Sequence, residues 1–166
     1  IGGTKSHSAW VVTGITPDWG EIVTFAERHV KHSKGTIDAD RLCTETVSLL
    51  SALYEMGYIV SYVFVDNAEQ VLLNSIRAAV RSAGFTTQVA DCKKIEGSTR
   101  ILIYNMMLNR HKMKFQAVPK TVEALSTALY DSKAKEDKIL DDFTTDIDTF
   151  DAHFYSWSTF STIITG

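Results

Sequence analysis

Four aspartates stand where side-chain oxygens can gather a hard cation: Asp66, Asp146, Asp148 and Asp151. Asp66 closes the run YIVSYVFV (Tyr58–Val65), nearly all apolar and rich in β-formers, which reads as a strand buried on both faces. A helix follows, so Asp66 stands at the carboxyl end of a strand, where open α/β sheets collect their ligands. The same position suits an aspartate that caps the next helix, and both readings stay open. The other three enter the final helix within DIDTFDAHFYSW. Asp148 and Asp151 are three residues apart and project from roughly one side of the first turn. Acids at a helix start are also favoured by the helix dipole. Magnesium takes one or two carboxylates plus waters and substrate phosphate, and two ions about 3.5–4 Å apart can clamp both sides of a phosphodiester.

The bases are segregated from these acids. Between Asp131 and Asp151 lie eight acids and three lysines, whereas Lys93 to Lys120 holds seven bases and one acid, Glu96. A basic flank beside an acidic cluster suits a metal-dependent enzyme acting on a polyanion, and it equally suits a solvated charged surface. Lys5, Lys93, Lys94 and Arg100 are the candidates for phosphate contacts. The net charge of −3 is the sum of these opposed segments. Cys43 and Cys92 lie far apart with no CxxC or Cys/His spacing, which argues against a zinc site or a disulfide framework and for a reducing, intracellular setting. The histidines at 7, 29, 32, 111 and 153 have no HxxxH or HExxH spacing, and none is expected to be an obligatory ligand. No nucleophile elbow or P-loop appears.

The elements that must position these residues follow from periodicity and punctuation. SAWVVTGI and EIVTFAERHV, on either side of Thr16-Pro17-Asp18-Trp19-Gly20, predict a hairpin. Asp38 or Asp40 can cap a helix to about Met56, with Leu42, Val47, Leu49, Leu50 and Leu53 at helical spacings and Gly57 ending it. After the strand at 58–65 come a helix over about 68–83 closed by Gly84 and a strand FTTQVA, a βαβ unit. Further along are expected a helix over about 95–109, a short strand at 113–116, a helix from Pro119 to about Tyr130, an acidic loop, and one last helix over about 149–163. The order implies one α/β domain of 166 residues with a mixed sheet flanked by helices. No apolar run approaches the ~20 residues that cross a bilayer. The chain begins at Ile1, and it is expected to be a piece of a longer protein.

Taken in order, GGTKSHSAWVVTGI, VFVDNAEQVLLNSIR, KKIEGSTRI and DIDTFDAHFYSWSTF resemble the nuclease domain of the tailed-phage terminase large subunit over nearly the whole chain. That resemblance implies an RNase H-like fold and an endonuclease that cuts concatemeric viral DNA during genome packaging by two-metal hydrolysis. It implies two Mg²⁺ or Mn²⁺ ions held by three acidic positions. One ends the strand Val63-Phe64-Val65-Asp66, followed by Asn67-Ala68-Glu69 as in a D-x-A-E pattern. Another opens a D-A-x-x-Y signature at Asp151, Ala152 and Tyr155, with Asp148 where some members carry a histidine near the metal. Asp66, Asp151 and Asp148 are then the implied catalytic and metal positions, with Asp146 auxiliary. The remaining acid of the family is expected immediately before Ile1, so cleavage by this piece should be weak or absent unless upstream residues are restored. The implied partners are double-stranded DNA and, in the full protein, an ATPase domain, the portal and the small terminase subunit; no membrane is involved. The implied location is the host cell cytoplasm.

Two other readings compete. The GGTK turn is similar to the phosphate-binding opening of sugar kinases in the actin-like superfamily, which would require ATP affinity. A non-catalytic docking module would use the acidic stretch from Asp131 to Asp148 and show no metal dependence. A thermal shift with Mn²⁺ separates the last from the nuclease, since a ligand of the folded state raises its stability.

Overall fold

A computed structural model describes residues 7–31, 38–66, 70–128 and 146–166. Lys5, the GGTK turn, Asn67-Ala68-Glu69 and most of the acidic loop fall outside these described residues. The chain divides into two compact units, one built around Val30–Cys92 and the other from Ser8–His29 and Lys93–Gly166.

In the first unit, α1 (Ala39–Glu55) begins where Asp38 accepts hydrogen bonds from the backbone N–H groups of Asp40 and Arg41. It ends at Gly57, whose φ of 88° costs a glycine nothing. β3 (Tyr62–Val65) leads through α2 (Gln70–Ser82) to the parallel strand β4 (Gln88–Asp91), and Gly84 (φ 84°) closes α2 in the same way. Leu50, Leu73, Ile76, Val80 and Val89 form the core, with Val60, Val63, Val65 and Phe85 packed against it. α1 and α2 therefore cover the β3–β4 ladder with their apolar stripes, the βαβ arrangement that the sequence pattern predicts.

The strand expected over 58–65 is shorter and more exposed than its composition suggests. Only Tyr62–Val65 enters the ladder, Tyr58 and Tyr62 are exposed, and Ile59 retains 79% of its accessible surface. An apolar run fixes β-propensity but does not say whether both faces are covered.

The second unit holds a three-stranded sheet in the order β1 (His7–Ile15), β2 (Ile22–Lys31), β5 (Met113–Phe115). β1 and β2 are joined by a turn in which Thr16 N–H donates to Glu21 O (3.0 Å) and Gly20 N–H to Asp18 Oδ1 (3.0 Å). So short a connection makes them antiparallel. β5 runs parallel to β2, with Thr24 opposite Phe115, so the sheet is mixed. α3 (Gly97–Asn109) precedes β5, and α4 (Pro119–Thr127) follows with proline in its first turn. α4 ends at Thr127 because Ala128 is already extended, short of the expected Tyr130.

The final segment is not one helix. α5 (Ile147–Tyr155) stops at Ser156, a 3₁₀ turn spans Ser158–Phe160, and α6 (Ser161–Thr165) completes the chain. Ser156 Oγ donates to His153 O (2.6 Å), while Thr13 Oγ1 of β1 donates to Ser156 O (3.3 Å). Trp157 follows at φ −137°, fully buried. A long-range anchor on the sheet thus interrupts a pattern that is locally helical.

Candidate active site

Asp66 is exposed and lies directly after β3, whose last residue, Val65, pairs with Asp91 of the parallel neighbour. The carboxyl-end position read from the sequence is therefore where the first unit places it. Asp91 is also exposed at that end of β4, and the sequence reading did not single it out, because FTTQVAD marks a strand without marking its alignment with VFVD.

The second unit carries the other three aspartates at the start of α5. Asp146 is the N-cap: its Oδ1 accepts from Thr149 N–H (3.0 Å) and its Oδ2 from Thr149 Oγ1 (2.7 Å). Both of its oxygens thus serve the helix end. Asp148 is exposed in the first turn. Asp151, one turn on, is 26% exposed and forms an ion pair with Arg100 of α3, whose side chain is only 12% exposed. The guanidinium carbon lies 5.6 Å from the Phe150 ring centre and 5.7 Å from that of Phe154, so two α5 rings flank the cation that Asp151 neutralises. Arg100 Nε is buried with no hydrogen-bond partner among the described residues.

Beneath this pair runs a fully buried polar network. His153 Nε2 is 2.9 Å from Thr24 Oγ1 on β2, and Nδ1 is 2.7 Å from the Tyr104 hydroxyl on α3. A neutral ring with a single N–H satisfies both neighbours in either tautomer. Burial pushes the His153 pKa down to about 3, so the ring is neutral at physiological pH. Burial likewise pushes the Tyr104 hydroxyl well above its usual range, and the Asp151 charge adds to the shift. The Tyr104 ring touches Phe150, Phe154 and Trp157 at centroid distances of 5.1, 5.7 and 5.7 Å. Arg100 and Tyr104, four apart on α3, thus hold Asp151 and His153, two apart on α5.

The basic segment is largely committed to internal partners. Lys114 pairs with Glu21 (2.5 Å), while Lys112 and Arg110 donate to the carbonyls of Ile164 and Thr165 at the end of α6. Lys93 and Lys94 are exposed. Arg100, read from the sequence as a phosphate contact, is the partner of Asp151.

Asp66 in the first unit, and Asp148 and Asp151 in the second, each offer hard carboxylate oxygens with access to solvent, the donor chemistry that a magnesium-like cation takes. His153 is spoken for at both ring nitrogens, whereas the Asp146 oxygens, each accepting one hydrogen bond from Thr149, keep lone pairs that a cation could use.

Two solved phage proteins share this architecture. The g2p (large terminase) nuclease domain from bacteriophage SPP1, in a crystal structure with bound Mn, aligns with a TM-score of 0.58 and 13% identity over 91% of this chain and 77% of that one. The large terminase from a thermophilic bacteriophage aligns with a TM-score of 0.64 and 19% identity over 99% of this chain. The chain spans 38% of the length of that second protein. No protein-family model and no curated protein matches the sequence. The likeness establishes the fold: a mixed sheet flanked by helices in the RNase H-like arrangement of large terminase nuclease domains. At that level it bears out the resemblance read from the motifs.

Proposed function

We propose that this chain is a divalent-metal-dependent endonuclease domain that cuts double-stranded viral DNA during genome packaging. The observation that carries the reading is that a chain with the fold of a terminase nuclease domain has aspartates at two positions singled out by its sequence motifs, Asp66 after β3 and Asp151 on α5. Asp66 in the first unit and Asp151 in the second would each be a ligand for Mg²⁺ or Mn²⁺, with Asp148 exposed one turn before Asp151 and Asp146 at the helix end that presents it. Two such ions, when bound, would supply Lewis acidity toward a phosphodiester and a water nucleophile at neutral pH.

This chain's own residues orient and neutralise. The Thr24–His153–Tyr104 network fixes the rotation of α5, and Asp146 fixes its first turn, so the direction of Asp151 is set before any ligand arrives. Lys93, Lys94 and Lys5 are assigned to the DNA backbone, contacts that position a duplex without reading its sequence. The proposed setting is a packaging motor in the host cytoplasm, with an ATPase domain, portal and small subunit as partners.

The test is cleavage of supercoiled plasmid in Mn²⁺ by the 166-residue chain. Asp66→Ala and Asp151→Ala should each abolish metal-dependent cutting, a loss of at least about 10³-fold, while DNA binding is retained. Undiminished cutting by either variant would remove that residue from the mechanism.

A further inference from the structure

The Arg100–Asp151 pair is at odds with the role assigned to Asp151. A carboxylate that is to hold a divalent cation is already neutralised by a guanidinium, in a setting where both side chains are mostly withdrawn from water. Two positive groups beside one carboxylate repel strongly when water is scarce, so the guanidinium and the cation cannot both use it at full strength. Resting on the reading of Asp151 as a metal ligand, we propose that Arg100 is a positioning residue that surrenders Asp151 to the cation, so that metal binding and release of the guanidinium are one exchange.

Three features of the structure favour exchange over a permanent pair. The seat of Arg100 is incomplete, because its Nε–H is buried without an acceptor among the described residues, and an orphaned donor lowers what the resting pair gains. The seat also has a second component that survives loss of the carboxylate. Phe150 and Phe154 lie 5.6 and 5.7 Å from the guanidinium carbon, so their faces can keep the cation beside α5 after it leaves Asp151. Finally, the backbone need not move. α5 is pinned by His153 to Thr24 and Tyr104, leaving the long Arg100 side chain as the part able to yield.

In the resting protein the pair holds the carboxylate in one direction and hides its charge. A divalent cation must therefore do work against Arg100 to bind, and removing the guanidinium should tighten cation binding. Mn²⁺ affinity measured by titration calorimetry on the unsubstituted chain, Arg100→Gln, Arg100→Lys and Asp151→Asn tests this. The expected order is Arg100→Gln about tenfold tighter than the unsubstituted chain, the size of an ordinary coupling between two sites, with Arg100→Lys in between. Asp151→Asn should bind Mn²⁺ more weakly than all of them. If Asp151→Asn leaves Mn²⁺ binding unchanged, Asp151 is not a ligand and the nuclease reading of that residue falls, taking this inference with it. If Asp151→Asn weakens binding while Arg100→Gln is unchanged or weaker than the unsubstituted chain, the exchange alone is overturned. A readout that needs no substitution is the Arg100 Nε–H resonance during titration of the unsubstituted chain with Mg²⁺. It should shift in step with saturation, and a resonance unmoved at saturation contradicts the exchange.

Discussion

Glu27 illustrates how a single side chain can hold one element to another in this protein. It projects from β2 to the start of α4, where one carboxylate oxygen accepts from Lys120 N–H (3.0 Å) and the other from Thr121 N–H (2.8 Å) and Thr121 Oγ1 (2.7 Å). Burial alone would raise its pKa, but the hydrogen bonds from Thr121 and Lys120 outweigh that and hold it below the usual carboxylate range. α4 has no side-chain cap of its own from Val118, so Glu27 satisfies from across the fold what a capping residue ordinarily satisfies locally. Glu27→Ala should cost about 1–3 kcal/mol in urea unfolding, because two backbone donors and a hydroxyl lose a charged acceptor. A cost near zero would mean that water replaces the carboxylate. None of this is legible in the sequence, where Glu27 sits in EIVTFAERHV as an ordinary polar strand residue.

At the scale of elements, local signals were readable and long-range ones were not. Asp38 as a cap, Gly57 and Gly84 as helix stops, and the Thr16–Gly20 turn all act within four or five residues of themselves, so pattern reading finds them. The break between α5 and α6 depends on Thr13, 143 residues from Ser156, and no local rule anticipates it. The partnership of Arg100 with Asp151 spans 51 residues and appears in the sequence only as one more base in a basic segment. The end of α3 offers a direct test of the local rules. Its chain reversal uses His111 at φ 54°, where α1 and α2 use glycine. A non-glycine residue in this region carries a strain of about 1–2 kcal/mol, partly offset by the greater entropy that glycine loses on folding. His111→Gly should therefore stabilise the protein by about 0.5–1 kcal/mol, read as a higher urea midpoint, and Gly57→Ala should destabilise it by a similar amount.

The whole molecule should weaken in acid, and the window follows from the buried His153 and the partly buried Glu27. His153 titrates near 6.5 when unfolded and about 3 when folded, so between those values the unfolded chain binds more protons. Its contribution is complete above about pH 6.5 and is lost progressively as the pH falls toward 3. Glu27, with its folded pKa depressed, contributes above its unfolded value of 4.5 and loses that contribution as the pH drops through the folded value. Both act in one direction. Unfolding stability measured in EDTA should fall by roughly 3 kcal/mol between pH 7 and pH 4 from His153 alone. A flat profile across that window would mean that the imidazole is not held neutral by its surroundings.

The burial of Trp157 has an optical consequence. Of the three tryptophans, Trp19 lies on the exposed turn, Trp10 is half-buried in β1, and Trp157 is sealed within 5.7 Å of Tyr104 and 5.2 Å of Phe154. Its emission should therefore form the blue edge of the protein's fluorescence and resist quenching by acrylamide. Because its ring neighbours are those that brace α5, changes in that edge give a label-free signal of how the Asp151 helix is packed, visible in a cuvette before any DNA is added.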